Sequence, residues 1–309
     1  MERLAIIGPG SMGLLFAYYL APVFSETILI DEFKDRARLI NRSGVKVTAG
    51  GKLKKRKVRA TTKPAEVGLV ELALVCVKSY DTKAAVKSAL PLVGKNTLVL
   101  TLQNGLGNLE QIAELAPRRQ ILGGTTAMAA NTVKPGQVRF AGAGETIIGQ
   151  MDGGIEQAER VADKFRAAGL KAGSTGNLEG ALWSKLIINA SVNPLTALLR
   201  VRNGALLSRG ESRFLLAGSI AESAMLAKRK GVRLLYDDPL ARLDQVLRST
   251  SNNLSSMLQD VMARRRTEID AINGALTDEA RKLKFFSPFN MLMTLLVRSL
   301  ERSYDDQIE

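Results

Sequence analysis

Three glycines near the start of the chain have the spacing of a dinucleotide-binding turn. The segment that carries them follows the apolar, strand-like residues 4–7 and consists of Gly8, Pro9, Gly10, Ser11, Met12 and Gly13. In this spacing the first glycine permits a tight turn, the second lets the backbone approach a pyrophosphate, and the third allows close packing of helix on strand. A glycine-rich turn without a ligand is the alternative. We predict that these six residues bind the pyrophosphate of a dinucleotide, at a helix N-terminus.

The end of the second predicted strand, residues 27–30, bears on which dinucleotide is bound. Asp31 and Glu32 follow this strand, and an acid there usually accepts hydrogen bonds from the adenosine ribose and disfavours a 2′-phosphate. Asp31 is therefore a predicted cofactor ligand, and it favours NADH. Three basic residues come next, and they either hold the 2′-phosphate of NADPH or form a solvated helix face. They are Lys34, Arg36 and Arg38. Both coenzymes remain open.

A polar stripe on an otherwise apolar segment is the second candidate for chemistry. Lys185, Asn189 and Asn193 are spaced four residues apart, so they share one face of a helix. The chain has no histidine, which makes Lys185 the natural proton donor to an alkoxide formed by hydride transfer, with a pKa lowered by desolvation or by a neighbouring cofactor. The alternative is a lysine that reaches solvent and two asparagines that bond to neighbouring groups.

Two further polar residues follow predicted strands. Asn104 and Gly105 come after the apolar run 97–102, and Lys78 comes after the run 72–77. Loops at the carboxyl ends of parallel strands are where such sheets present ligand-binding groups. The alternatives are an Asn-Gly turn and a surface lysine.

The elements that must position these residues change character along the chain. Up to about residue 168, short apolar strands alternate with helical segments, which predicts a parallel sheet with crossover helices. From Leu178 onward the pattern is helical, and a cluster of glycines at 169–176 separates the two regions. The predicted fold class is α/β, with an N-terminal Rossmann-type doubly wound parallel sheet followed by an all-α domain. The predicted domains are residues 1–176, for the dinucleotide, and residues 177–309, for substrate and catalysis.

Composition excludes several classes of function. Of 309 residues, 46% are hydrophobic and 24% are charged, as in a globular protein. One cysteine and no histidine argue against zinc, and against Ser-His-Asp or Cys-His catalysis. No signal peptide or membrane span is evident, so we expect a cytoplasmic protein. The net charge of +14 favours anionic partners, and the basic run 52–63 is expected to be a solvated hairpin or loop.

Several segments taken together resemble the ketopantoate reductase (2-dehydropantoate 2-reductase) family. They are residues 8–13, 77–82, 103–107, 185–197, 203–204 and the pair Ser256 and Glu268. The resemblance covers essentially the whole chain. It implies NADPH-dependent reduction of the 2-oxo group of ketopantoate to (R)-pantoate, a step towards pantothenate and coenzyme A. The acids Asp31 and Glu32 depart from the commoner family pattern, which keeps NADH as an alternative.

The resemblance also implies roles for individual residues. Lys185 is the general acid, and Glu268 is its catalytic partner beside the cofactor and the reacting carbonyl. The implied substrate-binding residues are Asn104, Lys185, Asn189, Asn193, Asn203 and Ser256. The implied cofactor contacts outside the glycine turn and Asp31 are Lys78, Asn104, Ala130 and Glu268. Ser256 and Glu268 are expected on one continuous helix, with the arginines between them on an exposed face.

Other functions and assemblies are compatible with parts of this pattern. A β-hydroxyacid dehydrogenase, or a reductase of another 2-oxo acid, would share the Gly-rich start and the Lys-x-x-x-Asn helix. A non-catalytic protein that binds NAD(P) or nucleic acid is suggested by charge alone, and Lys185, Asn189 and Glu268 argue against it. We expect a small-molecule substrate, no nucleic acid and no membrane. In such reductases the helical domain commonly forms a dimer, so a homodimer is one expected assembly.

Overall fold

The computed structural model describes residues 2–307, and the chain divides into two compact units. The first unit comprises the chain up to Gln103 and residues 107–178. The second comprises Asn104–Leu106 and the chain from Glu179 onward. A three-residue loop from the N-terminal half thus belongs, by its contacts, to the C-terminal unit. The predicted fold class is confirmed: a mostly parallel sheet with helices precedes an all-helical region.

The first unit is built on an eight-stranded sheet and a smaller four-stranded one. The strands in chain order are β1 (Arg3–Ile7), β2 (Glu26–Ile30), β3 (Val45–Ala49), β4 (Lys52–Arg56), β5 (Arg59–Thr61), β6 (Leu72–Val75), β7 (Leu98–Thr101), β8 (Ile121–Thr126), β9 (Ala129–Lys134), β10 (Gln137–Gly142), β11 (Thr146–Gln150) and β12 (Ala172–Ser174). The large sheet has the order β12-β11-β8-β7-β6-β1-β2-β5. Its pairs are parallel except β8 with β11. Its central strands are buried on both faces, which is why they are continuous apolar runs in the sequence.

The smaller sheet contains the basic run. Its order is β4-β3-β10-β9, and β3 with β4 forms an antiparallel hairpin. Residues 52–55 are exposed, so the expected solvated hairpin is confirmed for this part of the run. Lysines on such an edge strand discourage pairing with another chain.

Helices cover the large sheet and give the first unit its core. They are α1 (Ser11–Leu20), α2 (Lys34–Ser43), α3 (Thr82–Ala89), α4 (Asn108–Ala113) and α5 (Glu156–Ala167). Phe16 of α1 and Phe165 of α5 pack with ring centroids 5.6 Å apart, within a cluster that includes Leu4 and Ile6 of β1. The glycine turn between β1 and α1 is therefore held by a buried strand on one side and a buried helix on the other.

Helices are the only regular secondary structure among the described residues of the second unit. Its α-helices are α6 (Leu178–Leu199), α7 (Gly210–Lys230), α8 (Pro239–Ser249), α9 (Ser256–Met262), α10 (Ala275–Lys282) and α11 (Pro288–Arg302). A 3-10 helix spans Asn203–Leu207, and a π-helical turn spans Asp270–Gly274. Trp183 of α6 is buried in the core of this unit. Helix α6 is buried over most of its length, which explains its nearly continuous apolar sequence.

Candidate active site

Two glycines of the first turn are required by the packing of the chain itself. Gly8 has a φ of +98°, and a Cβ there would lie 2.6 Å from Cγ1 of Val77. A Cβ on Gly13 would lie 2.0 Å from the carbonyl oxygen of Gly8. Both positions therefore exclude a side chain whether or not a ligand is bound.

Gly10 differs from them because it borders open space. A Cβ there would meet no atom closer than the Cys76 carbonyl oxygen, 4.0 Å away. Gly10 is the N-cap residue of α1, with no capping side chain and no acid in the first helical turn. The first N–H groups of a helix have no partner within it, so backbone donors and room for close approach coincide here. The turn fits the pyrophosphate of a dinucleotide.

Asp31 lies at the end of β2, where its carboxylate is buried and paired. Arg36 donates from Nε to Oδ2 at 2.7 Å and from Nη2 to Oδ1 at 2.6 Å, and the Phe33 backbone N–H donates to Oδ1 at 2.9 Å. The guanidinium of Arg36 also lies over the Phe33 ring. Asp31 is predicted to bind the adenosine ribose, and Arg36 to hold a 2′-phosphate or to lie on a solvated helix face. The two side chains form a two-point ion pair with each other.

The loops after β6 and β7 are tied to each other by side chains. Gln103 donates from Nε2 to the Val77 carbonyl at 2.7 Å and to Oγ1 of Thr82 at 2.8 Å. Thr82 in turn donates to Oδ1 of Asn108 at 2.9 Å. Half-buried Lys78 lies in the first of these loops, so this network places it at the carboxyl edge of the sheet. Ala130 lies in β9 of the smaller sheet, paired with Phe140.

The polar stripe of the second unit lies on α6, as predicted. Lys185, Asn189 and Asn193 are all within this one helix. Desolvation lowers the pKa of Lys185 to about 8, while the negative charge of Glu268 acts in the opposite direction. Nδ2 of Asn189 lies 3.5 Å from Oδ1 of Asn104, at the long limit for a hydrogen bond. A lysine that loses its proton easily thus shares a helix face with amide groups.

The Asn104 loop is anchored to the π-helical turn of the same unit. The Leu106 N–H donates to the carbonyl oxygen of Ala271 at 2.9 Å. Gly105 has a φ of +84°, and a Cβ there would lie 2.4 Å from that same oxygen. At the Asn-Gly pair the chain therefore turns and also packs closely against the backbone of the π-helical turn.

Ser256 and Glu268 are not on one continuous helix, so that prediction was wrong. Helix α9 ends at Met262, and two residues later Arg264 adopts a left-handed φ of +50°. The N–H groups of Arg264 and Arg265 return to the carbonyls of Val261 and Asp260, the pattern of a Schellman helix end. The helix stops because these bonds satisfy its last carbonyls.

Ser256 and Glu268 lie at, or just before, the starts of two different elements of the second unit. Ser256 is the first residue of α9, and Oγ of Ser255 caps that helix by accepting the Leu258 N–H. Glu268 is buried, just before the π-helical turn. Arginines 264–266 are exposed, as expected, and each pairs with an aspartate.

Asn203 is buried and only partly satisfied. Its Nδ2 donates to Oγ1 of Thr250 at 3.0 Å, and its backbone N–H donates to the Asn253 carbonyl. Its Oδ1 has no hydrogen-bond partner among residues 2–307. Because a buried carbonyl of this kind is usually bonded, the atom suits a hydroxyl or N–H donor of a ligand.

Buried Asn273 lies outside the residues that the sequence predicts for the site. Its Nδ2 donates to the Ala190 carbonyl of α6 at 2.9 Å and to Oδ1 of Asn290 at 3.0 Å. The available signal was Pro194 inside α6, since a proline leaves one helical carbonyl without its donor. The proline indicates that a helical carbonyl needs a donor from elsewhere, but it does not indicate which residue supplies that donor.

The structure supplies two further observations about other classes of site. Within residues 2–307, no group of three or more Cys, Asp or Glu side chains is arranged to hold a metal ion. Over the same residues, no helix is both long and apolar enough to cross a bilayer.

Family models and sequence relatives among known proteins give the same match. Residues 4–153 match the family model described as ketopantoate reductase PanE/ApbA, and residues 177–301 match the model of its C-terminal domain. The chain is 34% identical to a 2-dehydropantoate 2-reductase of Halobacterium salinarum, covering 97% of this chain and 99% of that one. It is 35% identical to the enzyme of that name from Pyrococcus horikoshii, covering 97% of each.

Solved structures give a similar result. A D-mandelate dehydrogenase in a ternary structure with NADH and anilino(oxo)acetate superposes with a TM-score of 0.93 at 28% identity, over 98% of this chain and 99% of that one. A PanE/ApbA family ketopantoate reductase from Ralstonia eutropha JMP134 superposes with a TM-score of 0.89 at 30% identity, with the same coverage.

Proposed function

The chain belongs to the ketopantoate reductase family, and from that membership we propose that it reduces the 2-oxo group of 2-dehydropantoate to (R)-pantoate with a reduced nicotinamide dinucleotide. The observation that carries the proposal is the face of α6. There Lys185, with a pKa of about 8, lies on the same helix as Asn189 and Asn193. A readily lost proton among amide groups suits a ketone that becomes an alkoxide.

The residues of the first unit are proposed to bind the dinucleotide. The turn from Gly8 to Gly13 would hold the pyrophosphate, since Gly10 leaves room for close approach and α1 begins there. Lys78 and Ala130 would contact the cofactor from the carboxyl edge of the large sheet and from β9. When bound, the reduced nicotinamide supplies the hydride that the reaction requires.

The residues of the second unit are proposed to bind and protonate the oxo acid. Lys185 donates its proton to the oxygen of the former ketone, and the buried carboxylate of Glu268 keeps that lysine charged. The amides and the hydroxyl that would hydrogen-bond the substrate are Asn104, Asn189, Asn193, Asn203 and Ser256. Oδ1 of Asn203 is a suitable acceptor for a substrate hydroxyl because it has no other partner in the described chain.

For the coenzyme we propose a preference for NADPH over NADH. An acid at the end of β2 excludes a 2′-phosphate by its negative charge, but both oxygens of Asp31 are occupied by Arg36. This pairing offsets the charge of the acid, and Lys34 and Arg38 add exposed cations on the same helix. NADH remains the alternative, to which Glu32 would contribute.

A second candidate function is the reduction of another 2-oxo acid. The likeness to a D-mandelate dehydrogenase, at a TM-score of 0.93, supports it, because such an enzyme shares the fold while acting on an aromatic acid. Reaction type and proton donor would be the same in both cases.

The decisive experiment measures the loss of reduced-cofactor absorbance with each candidate oxo acid. We expect turnover with 2-dehydropantoate, with kcat/KM higher for NADPH than for NADH. An aromatic 2-oxo acid tested in parallel decides between the two candidate functions. If both cofactors bind and neither oxo acid is reduced, the proposed substrate is wrong.

A further inference from the structure

A proline inside α6 leaves one backbone carbonyl of the proposed catalytic helix in need of a donor. Pro194 has no N–H and cannot bond to the carbonyl of Ala190, four residues earlier in the helix. That carbonyl lies between Asn189 and Asn193, in a buried stretch of the helix. An unsatisfied carbonyl there would cost stability and would loosen the helix at the level of the site.

The missing donor comes from the π-helical turn. Nδ2 of Asn273 donates to the Ala190 carbonyl at 2.9 Å across 83 residues of sequence. Asn273 is fully buried, and its Oδ1 has no partner among residues 2–307. The hydrogen bonds that its amide nitrogen donates therefore hold the side chain, while its amide oxygen accepts none from the described residues.

A second asparagine fixes which way that amide points. Nδ2 of Asn273 also donates to Oδ1 of Asn290, at 3.0 Å. Nδ2 of Asn290 donates to Oε1 of Glu222, at 2.6 Å, and the same carboxylate accepts the backbone N–H groups of Phe289 and Asn290. A carboxylate oriented by backbone donors sets the orientation of both amides in turn.

The π-helical turn also reaches the other polar groups of the site. Glu268 lies two residues before the turn, and its backbone carbonyl accepts the Ala271 N–H. The Ala271 carbonyl accepts the N–H of Leu106, two residues after Asn104. One short element is thus connected to the carboxylate, to the Asn104 loop and to the lysine-bearing helix. Departures from α-helical geometry of this kind occur frequently at functional sites.

We propose that Asn273 is a positioning residue, which supplies the donor that Pro194 removes and thereby holds α6 in register with Glu268 and the Asn104 loop. The inference rests on the proposed function, in which these residues bind and protonate the oxo acid. Asn273 touches none of the reacting atoms. Its effect on the reaction passes through the placement of Lys185 and Asn189.

The test compares Asn273→Ala with Ser219→Ala. Ser219 of α7 accepts a hydrogen bond from Ser191 of α6 at 3.2 Å, so both variants remove one side-chain contact to the same helix. Ser191 is two residues from Asn189, which places it on a different face of the helix. Thermal unfolding of each variant measures how much of any effect is loss of stability alone.

Two measurements separate positioning from stability. In Asn273→Ala we expect kcat to fall by about tenfold to a hundredfold, because small displacements of catalytic groups are that costly, with coenzyme affinity unchanged. We also expect the pKa of Lys185 to rise toward the ordinary lysine value as water reaches the loosened helix. NMR of labelled lysine side chains, with Lys185→Arg to assign the signal, measures this pKa without substrate. Ser219→Ala should match the wild type in both measurements.

The proposal is overturned if Asn273→Ala loses stability while its kcat and its Lys185 pKa equal those of Ser219→Ala. If Asn273→Ala does not fold, Asn290→Ala is tested instead. It removes the acceptor of the Asn273 amide and the side-chain bonds of Asn290 to Glu222 and Ser223, but leaves Glu222 its backbone donors and Asn273 its bond to Ala190. The same changes, smaller in size, are then expected, and their absence overturns the proposal. A wild type that reduces no 2-oxo acid refutes the proposed function instead, and the pKa comparison still decides the role of Asn273.

Discussion

At the scale of single residues, Lys185 sets the pH dependence of the proposed reaction. Its pKa of about 8 results mainly from desolvation, with Glu268 opposing. The ammonium form is the proton donor, so the lysine must be charged when reduction begins. The lysine is then mostly protonated at neutral pH and still loses its proton more easily than an exposed lysine would.

We predict that kcat/KM for reduction is constant below pH 8 and declines above it, because the donor of the free enzyme loses its proton there. The reverse oxidation needs the neutral amine and should rise through the same pH. Replacing Lys185 by Arg keeps the charge but removes the transferable proton, so kcat should fall by about 10²–10⁴. Rates measured from pH 6 to 10 in both directions check this. A wild-type profile without a break near 8, or an arginine variant of unchanged turnover, contradicts the assignment.

The ion pair of Asp31 and Arg36 gives a second prediction at this scale. In Arg36→Ala the buried carboxylate of Asp31 loses both guanidinium bonds, so its negative charge is no longer offset near a 2′-phosphate. We expect the ratio of kcat/KM for NADPH over NADH to fall by at least about tenfold, which corresponds to ~1.4 kcal/mol.

Arg42→Ala is the matched control, since Arg42 is an exposed arginine of the last turn of the same helix. It removes an equal charge and should leave the coenzyme ratio unchanged. Equal effects of the two substitutions would mean that only net charge matters.

At the scale of elements, the turn between β1 and α1 combines two demands on its glycines. Gly8 and Gly13 are needed so that strand and helix can pack, because a Cβ at either position would clash with neighbouring atoms of the chain. Gly10 is needed only if something approaches the turn from outside. The two demands can be separated experimentally because they fall on different residues.

We predict that Gly10→Ala folds normally and binds the dinucleotide about tenfold more weakly, since its methyl group would occupy the space left for the pyrophosphate. Gly13→Ala should lose stability even without ligand, because its Cβ would lie 2.0 Å from the Gly8 carbonyl oxygen. Thermal unfolding with and without coenzyme distinguishes the two. A Gly10→Ala variant with unaltered coenzyme affinity would refute the proposed pyrophosphate site.

For the molecule as a whole, two hydrophobic cores and a strong positive charge are the main features. Each unit has its own cluster of buried side chains, around Phe16 in the first and Trp183 in the second. The formal net charge of +14 attracts anions in general, and both the dinucleotide and an oxo acid are anions. The exposed lysines of β4 contribute to this field without belonging to the proposed site.

Features that depend on neighbouring residues could be predicted from the sequence. The apolar run of β1, the glycine spacing after it and the alternation of strands with helices indicate a doubly wound sheet, because turn chemistry and periodicity are local. The placement of Lys185, Asn189 and Asn193 on one helix follows from the same periodicity. The structure has all of these features.

The pairing of distant residues, in contrast, depends on tertiary packing. Asn273 meets Ala190 across 83 residues, and Asn104 lies near Asn189 across 85. The pairing of Asp31 with Arg36 depends on a side-chain rotamer. Helix α9 ends two residues before a left-handed Arg264, and an arginine, unlike a glycine, does not predict that conformation from sequence. Contacts of this kind are set by how whole elements pack, and short-range pattern does not specify that packing.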